Sequence, residues 1–489
     1  MCMSARNKAL AGTALVALIG GCTVGPDFVR PDPPAAGHYT GGTDPGVTVA
    51  AAGVAQHFTA GTAAGDWWRL FKSPGLDRIV AEALAGNPGL EAAKASLRQS
   101  EATLRSGYGI FYPQIGGDFS PERQKYLPAR VGADAPGGIF SLFTLSASVS
   151  YTLDIFGGER RMVEGLAAQV DLQRADAAAT GIALSANIVN TLVADAAYRA
   201  EIEATAEIIR LEREQVRLAE IEAGAGTVPY ATVLGLKTQL ALTEAAIPAL
   251  QQKRSQAEDL LATLAGRTPA EWQAPPLAFA ELTLPDNLPV SLPSDLVRQR
   301  PDILAAEATL HEASAQIGVA TAALLPTITL DGGYGTGSTA AAQLFGAASR
   351  FWSFGADVTQ PIFEGGTLWE KRKAAIEGFN QAKTEYRQTV LAAFAQVADT
   401  LRGLEHDAEI LEAEDEAQTT ADETLKLTQA NYAAGIATYL DLLNADAQDR
   451  QARIAELQAR AQRYQDTVAL FTALGGGWQE TVDVAKAGS

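Results

Sequence analysis

Residues 431–444 read Asn-Tyr-Ala-Ala-Gly-Ile-Ala-Thr-Tyr-Leu-Asp-Leu-Leu-Asn, and they interrupt a segment, Thr367 to Gly476, that otherwise reads as continuous helix. Before the interruption Val390, Phe394, Val397, Leu401 and Leu404 recur at spacings of four and three, the seam of a helix packed on another helix. Gly435 suits the left-handed position that ends a helix, and Thr438 suits the cap that starts the next. The segment is therefore a very long helix, a turn from Tyr432 to Ala437 and a returning helix. Just past the turn, Leu440, Asp441 and Asn444 fall on neighbouring parts of one helix face.

Upstream the same grammar occurs once more. A helical pattern follows Gly157-Gly158 to about Glu222, is broken at Gly224 and Gly226, and resumes from Pro229 to about Leu264. At ~1.5 Å per residue the first of these helices is ~95 to 100 Å long and its return only about half that. The helix opened by Asn87-Pro88 supplies the missing length if it stacks end to end with the return helix. Pro88 and Pro113 recur as Pro301 and Pro326 at an offset of 213 residues, and Gly226, Tyr230, Leu234 and Gln239 match Gly435, Tyr439, Leu443 and Gln448. The chain is a duplication.

Between helices, each half carries two alternating segments. Phe143, Leu145, Ala147, Val149, Tyr151 and Leu153 alternate with Thr, Ser and Asp; Ile115 and Phe119, then Ile328, Leu330 and Tyr334, then Trp352, Phe354, Ala356 and Val358 do likewise. The strands are expected at about 115–126, 143–156, 327–338 and 351–363. An apolar face of this kind meets a second sheet in a soluble sandwich and lipid in a membrane barrel, and the run lengths lean toward the membrane. Four strands cannot close around water, and an open edge in lipid is forbidden, so the strands must close with other chains.

The first residues carry Arg6 and Lys8, an apolar run from Ala9 to Ile19 and small residues, the layout of a secretory signal over 1–21. Ile19-Gly20-Gly21-Cys22 has the form of a lipobox, making Cys22 the expected lipid-attachment residue. Loss of the leader moves the formal charge from −19 to −21, because two cations leave and no acid does. A chain so acidic is no nucleic-acid partner; its acids read either as solvated helix faces or as a cation-attracting interior. Residues 22–72 read as an extended arm, 73–273 as the first repeat with its helical hairpin at 158–266, and 274–294 as a linker. The second repeat covers 295–476 with its hairpin at 367–474, and 477–489 form a tail. No run of eighteen strongly apolar residues is present, so no transmembrane helix is expected.

Taken together, Cys22-Thr23-Val24-Gly25-Pro26-Asp27-Phe28, the Asn87-Pro88 and Arg300-Pro301-Asp302 openings, the duplicated strand hairpins and the Gly435 to Leu443 turn resemble the TolC-like outer-membrane factors. In particular they resemble the lipidated OprM/NodT branch that serves resistance-nodulation-division efflux pumps. That resemblance implies a mainly α fold with a membrane β-barrel: a homotrimer with a twelve-stranded barrel in outer-membrane lipid, continued by a periplasmic α-helical tunnel. It implies an exit duct for drugs or other small amphiphiles, whose partners are a periplasmic adaptor (membrane fusion protein) and an inner-membrane pump of that class.

The same resemblance places the adaptor-facing turns at Gly226, Thr227, Val228 and Pro229 and at Gly435, Ile436, Ala437 and Thr438, and the periplasmic gate at Leu440, Asp441, Asn444 and Tyr432. Asn444 and Ala437 stand where some relatives carry an acid and a base, which removes a salt-bridge lock. Asp441 also reads simply as an acid favoured in the first turn of a helix. Rival functions are a protein-secretion duct and a non-conducting coiled-coil scaffold; the polar alternate faces of the strands argue against the scaffold. His38, His57, His311 and His406 lie in unrelated segments without metal-ligand spacing, and no catalytic motif is present. The chain is expected to be no enzyme and to need no cofactor or metal.

Overall fold

The computed structural model describes residues 23–126 and 137–478. The leader, Cys22 and the tail beyond Trp478 lie outside these residues. Contacts group the described residues into two compact units, one from the segments 23–30, 97–172 and 306–386, the other from 31–96, 173–305 and 387–478. These units cut the chain differently from the sequence repeats: each takes pieces of both halves.

The first unit holds an antiparallel sheet of four strands in the order β2 (Gln114–Tyr126), β3 (Gly138–Leu153), β5 (Thr327–Ser338) and β6 (Arg350–Thr359). Its register aligns the apolar sets across the sheet. Ile115 pairs with Val149, Val149 with Gly332 and Gly332 with Phe354; Ala147 pairs with Tyr334, and Tyr334 with Trp352. Directly opposed residues share a face, so Ile115, Val149, Phe354, Tyr334 and Trp352 lie together on one side. That side is uncovered within the chain: Trp352 is 77% and Phe354 75% exposed. On the other face Thr152 and Thr329 approach hydroxyl to hydroxyl at 3.3 Å.

Three strand limits differ from the sequence reading. β3 starts at Gly138, not 143, because Gly138 to Leu142 continue the ladder opposite Glu122 to Tyr126 although adjacent Ile139 and Phe140 break the alternation. It stops at Leu153 because Asp154 turns to cap a helix, its carboxylate accepting from the amides of Glu159 and Arg160, both at 3.1 Å. β6 stops at Thr359 because Pro361 has no amide to donate, leaving Ile362 and Phe363 outside the ladder. The residues from Thr23 also join this unit: the Val24 amide donates to Phe156 O at 3.0 Å, and Phe28 stacks on His311 with centroids 4.3 Å apart. Arg161, buried, binds Asp27 at 2.6 Å and Glu164 at 2.7 Å.

In chain order the helices are α1 (Pro74–Gly86), α2 (Pro88–Gly107), α3 (Gly158–Gly224), α4 (Tyr230–Leu264), α5 (Pro293–Gln299), α6 (Pro301–Ala322), α7 (Thr367–Ala433) and α8 (Tyr439–Ala473). The duplication is kept to the residue: α3 and α7 each have 67 residues, α4 and α8 each 35. α3 contains a window long and apolar enough to cross a membrane, which the sequence reading did not expect; half of that window is buried inside the chain. Ile188, Val189, Leu192 and Val193 of this helix are core residues, which accounts for its apolar character without a bilayer.

The core of the second unit is built where the arm meets the return helix. Trp67 stacks on Phe471 with centroids 5.2 Å apart, and Phe71 on Tyr464 at 5.8 Å. The arm, read as extended, and the linker pair as parallel strands, β1 (His57–Ala60) with β4 (Asn287–Val290). Leu288 and Leu277 of the linker are buried in the same core.

Each short helix begins on the end of its return helix. In the first half Asn87 caps α2, accepting from the Leu90 amide at 2.9 Å, and its Nδ2 donates to Leu264 O at 2.9 Å. In the second half Arg300 Nη1 donates to Ala473 O at 2.7 Å while its other nitrogens reach Asp302 and Gln396. Helix ends leave carbonyls without partners, and here the start of the next stacked helix satisfies one of them.

Candidate functional site

The two helical hairpins turn through the same backbone. Gly226 has φ +77° and Gly435 +74°, and a Cβ at either would meet open space, so the glycine is required by the left-handed conformation alone. Around Gly226 the Thr227 amide donates to Glu222 O at 3.0 Å and the Gly226 amide to Ala223 O at 3.1 Å; around Gly435 the Ile436 amide donates to Asn431 O at 2.8 Å and the Gly435 amide to Tyr432 O at 3.0 Å. Both turns are Schellman motifs that occupy the orphan carbonyls of the long helix.

Their side chains diverge. At the first turn Thr227 Oγ1 donates to Glu222 O at 2.8 Å, and α4 starts after Pro229 with no side-chain cap. At the second, Thr438 and Asp441 form a reciprocal capping box: Thr438 Oγ1 accepts from the Asp441 amide at 3.1 Å, and Asp441 Oδ2 accepts from the Thr438 amide at 2.9 Å and the Thr438 hydroxyl at 2.6 Å. Hydrogen bonds from the Thr438 hydroxyl and then its amide hold the Asp441 carboxyl below its ordinary range. The carboxylate is an exposed, fixed negative charge.

The other expected gate residues make contacts of their own within the chain. Tyr432 packs on Tyr439, centroids 5.5 Å apart. Asn444, exposed, accepts at Oδ1 from Gln215 Nε2 at 3.4 Å, a contact from α8 to α3. Leu440 is half-buried, Ile436 is 77% exposed, and Val228 and Ala437 are half-buried beside their turns.

Sequence reasoning missed what ties these tips together. α3 is held to α4 by Lys237 with Glu220 at 2.6 Å, Arg213 with Glu244 at 2.7 Å, and Thr243 Oγ1 with Glu212 at 3.0 Å. It is held to α8 by Gln215 with Asn444, and by Glu207, which binds Arg210 at 2.6 Å and lies 4.0 Å from Arg450. The hydrogen bond from Arg210 lowers the Glu207 pKa. Tyr439 lies in the fields of Arg210 and Arg217, so the cations beside the second tip come from α3 and not from position 437. The i,i+3 spacings Glu207/Arg210 and Glu214/Arg217 were visible in sequence; the helix they would reach was not. Among the described residues no group of three or more His, Cys, Asp or Glu could hold a metal ion. The arrangement can steer charge and brace helices.

Two copies of a long helical hairpin, each with a strand pair whose apolar face is bare, are an architecture shared with outer-membrane channels. The chain belongs to the outer membrane efflux protein family, whose model matches residues 79–267 and 292–476. It is 30% identical over 491 residues to the probable efflux pump outer membrane protein TtgC of Pseudomonas putida, covering 98% of both chains. It is also 30% identical to the outer membrane protein OprJ of Pseudomonas aeruginosa, covering 95% of each. Among solved structures it resembles the outer-membrane channel OprN, with a TM-score of 0.83 and 28% identity over 94% of this chain and all of that one. The open-state MtrE channel of Neisseria gonorrhoeae superposes with a TM-score of 0.80 at 25% identity, over 93% of this chain and 98% of its own. The protein is an efflux component of the outer membrane.

Proposed function

We propose that three copies of this chain close their sheets edge to edge into a twelve-stranded barrel and align their long helices into a tunnel, forming the exit duct of a tripartite pump. The observation that carries this reading is the four-stranded sheet itself: among the described residues β2 and β6 are edges without partners, and one face is apolar and bare. Unpaired backbone in lipid costs several kcal/mol per group, so such a sheet in a membrane needs a further strand at each edge. Cys22 carries the lipid anchor. The turns at Gly226 to Pro229 and Gly435 to Thr438 meet a periplasmic adaptor, through which the duct serves an inner-membrane pump of the resistance-nodulation-division class. Relatives named for toluene and antibiotic efflux and for pyoverdine export support small, chemically varied cargo.

The duct is sealed at the second tip, where Leu440 narrows the bore and three copies of Asp441 concentrate negative charge, with Tyr432 and Asn444 completing the ring. The test is single-channel conductance in planar bilayers for the wild type and the Leu440→Ser/Asp441→Ser double variant. A small cation-preferring current that grows several-fold in the variant is expected. A large wild-type current unchanged by the substitutions discards this gate, and no current from well-inserted protein discards the duct.

A further inference from the structure

Away from the tips, three ionisable side chains that the duct does not use meet inside the second unit. Arg463 of α8 is completely buried, and its donors are spent on the arm: Nε on Gln56 Oε1 at 3.1 Å, Nη1 on Ala51 O at 3.4 Å, and Nη2 on Thr48 Oγ1 at 3.0 Å and Val54 O at 3.2 Å. None of these acceptors is charged. Beside it Asp407 of α7 faces Asp466 of α8 within hydrogen-bonding reach. Gly403, one turn earlier on α7, lies against the same carboxylate: a Cβ there would sit 3.4 Å from Asp466 Oδ2, in ordinary contact. Asp466 Oδ1 accepts from Gln462 at 3.3 Å, whereas Asp407 Oδ2 is buried and, with both acids ionised, has no donor.

We propose that Asp407 and Asp466 share one proton, forming a carboxyl–carboxylate clasp between α7 and α8 that balances the charge of buried Arg463 and weakens as the medium becomes less acid. Charge bookkeeping supports it: two carboxylates and one guanidinium leave an excess negative charge in a poorly solvated place, and a single proton cancels it. The proton also supplies the donor that Asp407 Oδ2 lacks. Burial, and then the hydrogen bond and charge of Asp466, push Asp407 up to about 8, against the opposing charge of Arg463. The charges that reach Asp407 are those two groups of α8; the arm loop over Arg463 brings only hydroxyl, amide and carbonyl groups, and Tyr464 donates its hydroxyl to Leu282 O at 2.8 Å. On α7 itself His406 is engaged with Glu409 at 3.1 Å.

A carboxyl whose pKa is raised by folding holds its proton more tightly in the closed contact than in the open one. The clasp is therefore at full strength below the ordinary carboxyl pKa of about 4 and is lost progressively as pH rises to about 8. The test is hydrogen exchange of the detergent-purified full-length protein over residues 403–411 and 462–470, corrected for intrinsic rates. Opening is expected to increase about tenfold per pH unit between about pH 5 and 7 and to level off above about pH 8. In Asp407→Asn, whose amide keeps a donor against Asp466, the slope flattens, and the infrared carbonyl band of a protonated carboxylic acid seen in the wild type disappears. Asp466→Asn, which keeps the contact from the other helix, flattens the slope as well. Equal slopes in wild type and both variants, or no protonated-carboxyl band in the wild type at about pH 6, overturn the proposal.

Discussion

The two repeats have matching helix lengths and matching turns, yet they are fastened differently at both ends. Where a short helix stacks on its return helix, the first repeat uses a neutral amide, Asn87 to Leu264 O, and the second a buried cation, Arg300, shared between Ala473 O, Asp302 and Gln396. At the tips the first return helix follows a bare Pro229, and the second is secured by Thr438 and Asp441. What stayed constant is what backbone geometry demands: a positive φ at the turn and a partner for each terminal carbonyl. What diverged is the chemistry meeting those demands, and the second repeat meets them with charge.

The largest test of that difference is at the stacked junctions. Arg300→Ala strands the Ala473 carbonyl and the Asp302 and Gln396 side chains, and is expected to destabilise the folded chain by about 3 kcal/mol in denaturant titrations. Asn87→Ala is expected to lose about 1 to 2 kcal/mol, a cap and one hydrogen bond. Equal losses would mean that the charged junction contributes no more than the neutral one. A smaller effect probes what the repeats share: Gly226→Ala and Gly435→Ala each force a side chain into the left-handed region, for about 1 to 2 kcal/mol apiece. A clear inequality between them, measured the same way, would break the equivalence of the turns.

The smallest effect sharpens the contrast at the caps. Thr438→Ala should lose about 1 kcal/mol through its cap, whereas Pro229→Ala loses no cap and should lose about 0.4 to 1 kcal/mol through unfolded-chain entropy alone. Removing the Thr438 hydroxyl also removes the first cause of Asp441's lowered pKa. A lowered folded-state pKa stabilises above the ordinary carboxyl pKa and loses that contribution as pH falls through the folded value. The carboxyl titration, followed by NMR, should therefore move upward in Thr438→Ala; an unmoved titration would show that the backbone amide alone holds the charge.

Much of this was legible because it is local. The proline and glycine punctuation at Pro88, Pro301, Gly226 and Gly435 fixes helix limits through dihedral rules, and the period of two in Phe143 to Leu153 assigns faces before any pairing is known. The Thr438–Asp441 spacing of three was readable as an N-terminal acid, and its reciprocal hydrogen bonds cap the first turn of α8. Contacts between distant segments were not legible. Nothing in the arm's Thr48 to Gln56 announces that four of its groups will receive a buried guanidinium from Arg463, and nothing near Asn444 names Gln215. The pairing of the arm with the linker was not legible because β1 and β4 are each only four residues long, too short to show a period.

The capping box at Asp441 also fixes how that charge can travel. With one carboxylate oxygen engaged by both the amide and the hydroxyl of Thr438, the side chain has no rotamer to swing into without unpicking the first turn of α8. Its position is thus a pointer welded to the helix: any shift in the electric field it casts reports a screw or tilt of α8 itself.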